Sequence, residues 1–199
     1  ESFEAAGHEV TFYNAGHIPG SAHVLVDDGD TRLLYTADFH TADTRLLSRS
    51  TARPDADAVI CESTYSDVTH EDRARVEQRF VETVRTTRYE GGTALIPAFA
   101  IGRTQEVLLI CAAHDVDCYV DGMGARVTRQ FLDRPEFLRD ADALREAAAH
   151  ARFVTNPGQR ERIADQNTVI VTTSGMLSGG PAMTYVPAIR ESPTNFVAM

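Results

Sequence analysis

The sequence has no lysine. All 19 of its basic residues are arginine, set against 29 Asp and Glu, for a formal net charge of -10 over 199 residues. It has no tryptophan and only three cysteines. No apolar run approaches the roughly 18 residues that a membrane span needs, so no membrane partner is expected. No N-terminal stretch has the charged-then-apolar order of a secretory signal. Cys61, Cys111 and Cys118 are an odd set without C-x-x-C spacing, which excludes a disulfide framework and a zinc ribbon built on cysteine alone. Each lies in or beside an apolar stretch, so all three read as buried free thiols, at home in a reducing cytoplasm. With 43% apolar and 24% charged residues, the chain is globular rather than disordered. Its length suits one ordinary domain or parts of two.

The acid excess has two readings. An acidic face repels nucleic acid and suits a basic or small-molecule partner. Alternatively, the Lys-free mixture rich in Asp, Ala and Thr resembles proteins of salt-loving archaea, whose surface carboxylates hold water and cations. A GC-rich genome also favours Arg over Lys, but it does not explain the acid, so the halophilic reading is preferred. The chain begins at Glu1, and residues 195–199 (Asn-Phe-Val-Ala-Met) read as a strand cut short. A fragment is therefore expected.

The first 66 residues read as strands and turns. Glu9 to Phe12 is strand-like, and the Gly16-to-Gly20 segment is a turn rich in breakers. Ser21 to Val26 and Arg32 to Thr36 flank Asp27-Asp28-Gly29-Asp30, a hairpin signal. Ala58 to Cys61 is a short apolar strand. The character then changes, with the seam near Tyr65 to Thr69. His70 to Glu90 is helical, with Val76, Phe80 and Val84 on one face and Gly91-Gly92 as the stop. Strands at 93–96, 118–120 and 168–173 alternate with helices at 102–113, 124–131, 141–150 and 180–189. Such alternation predicts a parallel α/β sheet whose ligands sit at the carboxyl ends of the strands.

Three residues of the first part stand where chemistry can be placed. His17 lies in the glycine-flanked turn, and Asp38 and Glu62 lie just beyond apolar strands. Imidazole with carboxylate suits zinc, manganese or iron. Singly, each has a plain alternative: a solvated or capping His, a turn Asp, a solvated Glu.

Taken together, the surrounding segments carry a resemblance. Asn14-Ala15-Gly16-His17-Ile18-Pro19-Gly20-Ser21-Ala22, Leu34-Tyr35-Thr36-Ala37-Asp38-Phe39 and Cys61-Glu62-Ser63-Thr64-Tyr65 resemble three ordered blocks of the β-CASP family of metallo-β-lactamase-fold nucleases. The archaeal relatives of the cleavage and polyadenylation endonuclease subunit look most similar. Residues 96–106 resemble the signature of the β-CASP insert, and residues 173–181 resemble its Ser-Gly-Met loop.

The resemblance implies a fold in two parts: residues 1–66 as part of an αββα metallo-β-lactamase sandwich, and 67–199 as most of a Rossmann-like parallel α/β β-CASP domain. It implies hydrolysis of RNA phosphodiesters with a metal-activated hydroxide as nucleophile and two Zn²⁺ per complete site. His17 becomes a ligand of one zinc, Asp38 the carboxylate bridging both, and Glu62 the residue that positions a catalytic His further along. The family's His-x-His-x-Asp-His string and its later His motifs are absent from the chain, so this segment alone is expected to be inactive. His8, His23, His40, His70, His114 and His150 match no motif. Ala37 stands where the family has Gly, and a Cβ disfavours positive φ there.

In the second part, Arg103 opens a helix after Gly102 and is the expected phosphate contact. The alternative is pairing with Glu106 one turn on. Ser174 and Gly175 offer backbone amides to a phosphate, or simply form a strand-to-helix turn. Tyr65 and Phe99 could stack on bases, with core packing the better expectation for Phe99. The expected partner is RNA, a homodimer is possible, and the expected location is cytoplasmic. Two other hypotheses remain: a non-catalytic scaffold of an RNA-processing complex and a DNA-directed nuclease. Glu62-Ser63-Thr64, in place of the DNA branch's Asp-Thr-Thr, favours RNA.

Overall fold

The computed structural model describes residues 1–198. Met199, the end of the expected terminal strand, lies outside the described residues. The chain divides into two compact units, residues 1–69 with 137–139, and the remainder.

The first unit is a five-stranded sheet in sequence order. Strands β1 (Ser2–Ala5), β2 (His8–Asn14), β3 (Ala22–Asp27) and β4 (Arg32–Tyr35) run antiparallel, and β5 (Ala58–Ile60) joins β4 in parallel. The β3–β4 hairpin closes on its own carboxylates. Asp27 accepts the Gly29 N–H at 2.8 Å, and Asp28 accepts those of Asp30 and Thr31 at 3.0 and 2.7 Å. These bonds stabilise the charged form and lower both carboxyls. β1 has no counterpart among the expected strands. Its turn into β2 uses Ala6 and Gly7, both at positive φ, and Ala carries no turn signal.

Because side chains alternate across a strand, the register sorts them by face. Val10, Val26, Leu33 and Ala58 align across the sheet, as do Phe12, Val24, Tyr35 and Ile60. All eight are apolar and share one face, yet Phe12, Leu33, Tyr35 and Ile60 are exposed. The other face, with buried His23 and Leu25, is covered by the unit's own loops.

The second unit is α/β. Its sheet is ordered β10 (Phe196–Val197), β6 (Ala94–Pro97), β9 (Val169–Thr172), β7 (Tyr119–Asp121), β8 (Arg152–Phe153), and every pairing is parallel. β6 and β9 are buried along their whole length. Strands covered on both faces read as unbroken apolar runs, as Ala94-Leu95-Ile96 and Val169-Ile170-Val171 do. Leu95 and Ile170 pack with Ile163, Ala164, Tyr185 and Ile189 in the core.

Among the described residues, α1 (Arg73–Tyr89) leads into β6, and α2 (Arg103–Ala113), α3 (Met123–Leu132), α4 (Ala141–His150), α5 (Arg160–Ala164) and α6 (Ala182–Ile189) connect the strands of this sheet. Asp72 caps α1 by accepting the Arg75 N–H. α1 buries Val81, Val84 and Thr87, while Val76 is 40% exposed. The buried stripe thus departs from the expected Val76–Phe80–Val84 line. It runs through Glu77, whose carboxylate pairs with His114 at 2.9 Å and so comes in from solvent. Gly92 ends the turn after α1 because a Cβ there would lie 2.0 Å from the Thr194 carbonyl oxygen. The short β8 and α5 are further elements that periodicity did not reveal.

Candidate active site

In the first unit, two loops bring His17 and Asp38 together. The 14–21 turn closes on Ser21, whose hydroxyl accepts the N–H groups of His17 and Ile18 at 3.2 Å each. Gly16 (φ +71) allows close approach: a Cβ there would lie 2.8 Å from Ser50 N and 3.0 Å from the carbonyls of His40 and Ser48. The 36–40 loop is tied to this turn by the His40 N–H, which donates to the Ala15 carbonyl at 2.9 Å. The outcome is His17 Nε2 at 3.9 Å from Asp38 Oδ2, with both side chains open to solvent. Ala37 does adopt positive φ, +48°. The Cβ was expected to disfavour this; the Thr36 hydroxyl, donating to the Ala37 carbonyl at 2.8 Å, helps hold it.

Glu62 follows β5. Its Oε2 accepts the Thr64 N–H at 2.9 Å. That bond, then one from the Thr64 side chain, keeps the carboxyl below the usual Glu range, with smaller help from the Phe39 N–H and the nearby His17. The Glu62 N–H reaches the Thr36 hydroxyl at 3.3 Å. Glu62 therefore presents a fixed, ionised carboxylate.

The donor set fits part of a metal site. Two ligands on one tetrahedral zinc, each at about 2.0–2.2 Å, stand roughly 3.4 Å apart, near the His17–Asp38 separation. Among the described residues no group of three or more His, Cys, Asp or Glu forms a complete cluster.

The second unit places Arg103, Ser174 and Gly175 after parallel strands. Arg103 follows β6, at the first position of α2 behind Gly102 (φ +78). The alternative of an Arg103–Glu106 pair is not realised. Glu106 is buried and bonded to Arg73, and Arg103 is exposed. The loop before Arg103 is fixed by Gln105, fully buried. Its Nε2 donates to the Ala100 and Gly124 carbonyls and the Thr128 hydroxyl, and its Oε1 accepts the Gly102 N–H. Ser174 Oγ accepts the Ser178 N–H at 3.3 Å, closing the 174–178 loop. Gly175 has a packing reason: a Cβ would lie 2.9 Å from Phe99 N and 3.0 Å from the Ala98 carbonyl carbon. Phe99 is 56% exposed, against the expectation of core packing. It lies in the loop between β6 and Gly102 (φ +78). With Met123 after β7 and Met176 after β9, it leaves exposed apolar groups at the carboxyl ends of three neighbouring strands.

Two features escaped sequence reasoning. Asp121, at the end of β7, is buried and accepts Arg160 Nε and Nη2 at 2.7 and 3.1 Å and the Tyr185 hydroxyl at 2.8 Å. An Asp after an apolar strand was the only signal. Of the cysteines, Cys111 and Cys118 are buried, but Cys61 is exposed. β5 is the last strand of its sheet and all of it is exposed, so burial does not extend to Cys61.

A family model for the Beta-Casp domain matches residues 104–199. Probable RNase MJ4 of Methanocaldococcus jannaschii is 37% identical over 92% of this chain and 45% of its own length. RNase aCSPSF2 of Saccharolobus solfataricus is 35% identical over 99% of the chain and 41% of its own length. The transcription termination factor FttA of Methanothermobacter thermautotrophicus is 34% identical over 94% and 32%. The chain thus spans less than half the length of these relatives. Among the described residues no helix is long and apolar enough to cross a membrane.

Proposed function

Since the chain belongs to the β-CASP family, we propose that it is a segment of a metal-dependent ribonuclease that hydrolyses RNA phosphodiesters. Relatives named as RNases support the reaction class, and one named as a transcription termination factor supports a role on nascent or processed transcripts. The observation that carries the reading is the approach of His17 Nε2 to Asp38 Oδ2, 3.9 Å, beside a fixed Glu62 carboxylate.

In this reading His17 and Asp38 hold metal, with Zn²⁺ the preferred ion and two ions in the complete site. The remaining ligands come from parts of the whole protein beyond this segment, which alone is inactive. Bound zinc would acidify a water and neutralise charge developing on the phosphate oxygens. Glu62, kept ionised by the Thr64 N–H, orients a proton-carrying His of the complete protein. Arg103, unclaimed by Glu106, receives a phosphate, and the backbone of Ser174 and Gly175 lines the same strand-end surface. The uncovered apolar face of the first sheet suits a sandwich completed by a second sheet. The acid-rich surface suits work at high salt in a cytoplasm, where screening over about 3 Å at 1 M leaves distant carboxylates little effect on RNA.

The test is the whole protein with Asp38→Ala. RNA cleavage should disappear and bound zinc should fall, with the fold retained. Undiminished cleavage would refute the assignment. A wild-type preparation that binds no metal would favour the scaffold reading, and preferential cleavage of a matched DNA strand would favour the DNA branch.

A further inference from the structure

We propose that His23 is a positioning residue that sets the geometry of the His17–Asp38 pair from beneath the sheet; the proposal rests on those two residues being metal ligands. His23 lies on the covered face of β3 and is buried. Its Nδ1 is 2.7 Å from the Thr36 carbonyl oxygen, and its Nε2 is 2.7 Å from the Ser50 hydroxyl. A carbonyl can only accept, so Nδ1 donates, and in a neutral ring Nε2 accepts from the Ser50 O–H.

Each partner leads to one candidate ligand. Thr36 precedes Asp38 by two residues, across the positive-φ Ala37 that its hydroxyl also holds. The same hydroxyl accepts the Glu62 N–H. Ser50 is the residue against which Gly16 packs, next to His17, and its N–H donates to the His40 carbonyl at 2.8 Å. One imidazole thus clamps the loop of Asp38 to the backing of the His17 turn. Glu62 hangs from the same Thr36. The Phe39 ring, 5.6 Å from that of His23, covers it. A buried ring with both nitrogens satisfied by groups of two different loops is rigid. Partners outside the ligand sphere that orient ligands typically contribute about 10–100-fold in metal affinity.

The experiment measures Zn²⁺ affinity of the whole protein by competition with a chromophoric chelator, the visible spectrum of bound Co²⁺, and Tm. The variants are His23→Leu, His23→Asn, Ser50→Ala and Asp38→Ala. His23→Leu should weaken Zn²⁺ binding about tenfold or more and alter the Co²⁺ spectrum. His23→Asn, whose amide can still donate to the Thr36 carbonyl, should recover most of the affinity. Ser50→Ala removes only the second bond and should weaken binding by a few fold, which keeps the proposal testable if His23→Leu fails to fold. A lowered Tm with unchanged affinity and spectrum in these variants would make His23 merely structural and overturn the proposal. If Asp38→Ala leaves affinity unchanged, the ligand assignment itself fails, and the positioning role falls with it.

Discussion

Replacing Asp121 with Asn probes a buried, multiply bonded charge in the second unit. Its carboxylate takes two bonds from Arg160 and one from Tyr185, at 2.7, 3.1 and 2.8 Å, and is 2% exposed. The Asn amide keeps one oxygen as acceptor but loses the charge and turns an N–H₂ toward a cation. Breaking a buried ion pair costs roughly 3–5 kcal/mol. The Arg160 side chain is 20% exposed, so water can relieve part of its stranded charge. The cost therefore falls somewhat below that range, at about 2–3 kcal/mol for Asp121→Asn. For a chain of this length that is a fall in Tm of roughly 4–12 °C. Replacing the whole cluster in Asp121→Leu/Arg160→Met/Tyr185→Phe should cost no more than the single change, since neither an unpaired charge nor an unpartnered hydroxyl remains. Urea denaturation followed by circular dichroism, at low salt and at 1 M KCl, measures both. The buried pair should lose little in 1 M KCl, unlike the exposed Glu71–Arg79 pair. An Asp121→Asn variant within about 0.5 kcal/mol of the parent would refute the reasoning.

Tyr185 makes the same cluster sensitive to alkali. Burial, then its bond to Asp121, raises its hydroxyl above the usual tyrosine range. A raised folded pKa gives stability that is complete below the unfolded value of about 10 and is lost as pH rises beyond it. Absorbance titration should show one of the six tyrosines ionising only as the chain unfolds, and Tyr185→Phe should abolish that late step. Thiol labelling of the folded chain should modify Cys61 quickly and spare Cys111 and Cys118 until denaturant is added. Cys118 is further protected because the Cys111 side chain, then burial, raises its thiol pKa well above normal. Rapid labelling of more than one thiol would contradict the buried placement. Ala37→Gly should stabilise the protein by about 0.5–1 kcal/mol, because relief of the left-handed Ala exceeds the added chain entropy. A lower Tm would mean that the Ala37 methyl contributes more than its backbone strain costs.

Local chemistry made much of the architecture readable. The hairpin at Asp27–Asp30 is written in residues that satisfy their own backbone. The parallel sheet is written in apolar runs such as 169–171, bounded by turn residues and spaced by helices of 3.6 period. The stretch preceding Met199 also pairs as a strand, β10 on β6. Elements of two to five residues, such as β8 and α5, are too short to carry a period.

For the candidate site, sequence alone located His17, Asp38 and Glu62 at strand ends and turns, because such positions are set by neighbours in the chain. It left the six other histidines indistinguishable. Only tertiary structure decided that His23 joins residues 13 and 27 positions away, and that Glu77 meets His114. It also decided that Asp121 is a buried partner rather than a turn residue, that Glu106 takes Arg73 and leaves Arg103 to solvent, and that Cys61 is open. The physical reason is common to all of these. Side-chain type and periodicity determine which groups need partners, but a hydrogen bond or ion pair acts over about 3–4 Å. Which groups come that close depends on how distant segments pack.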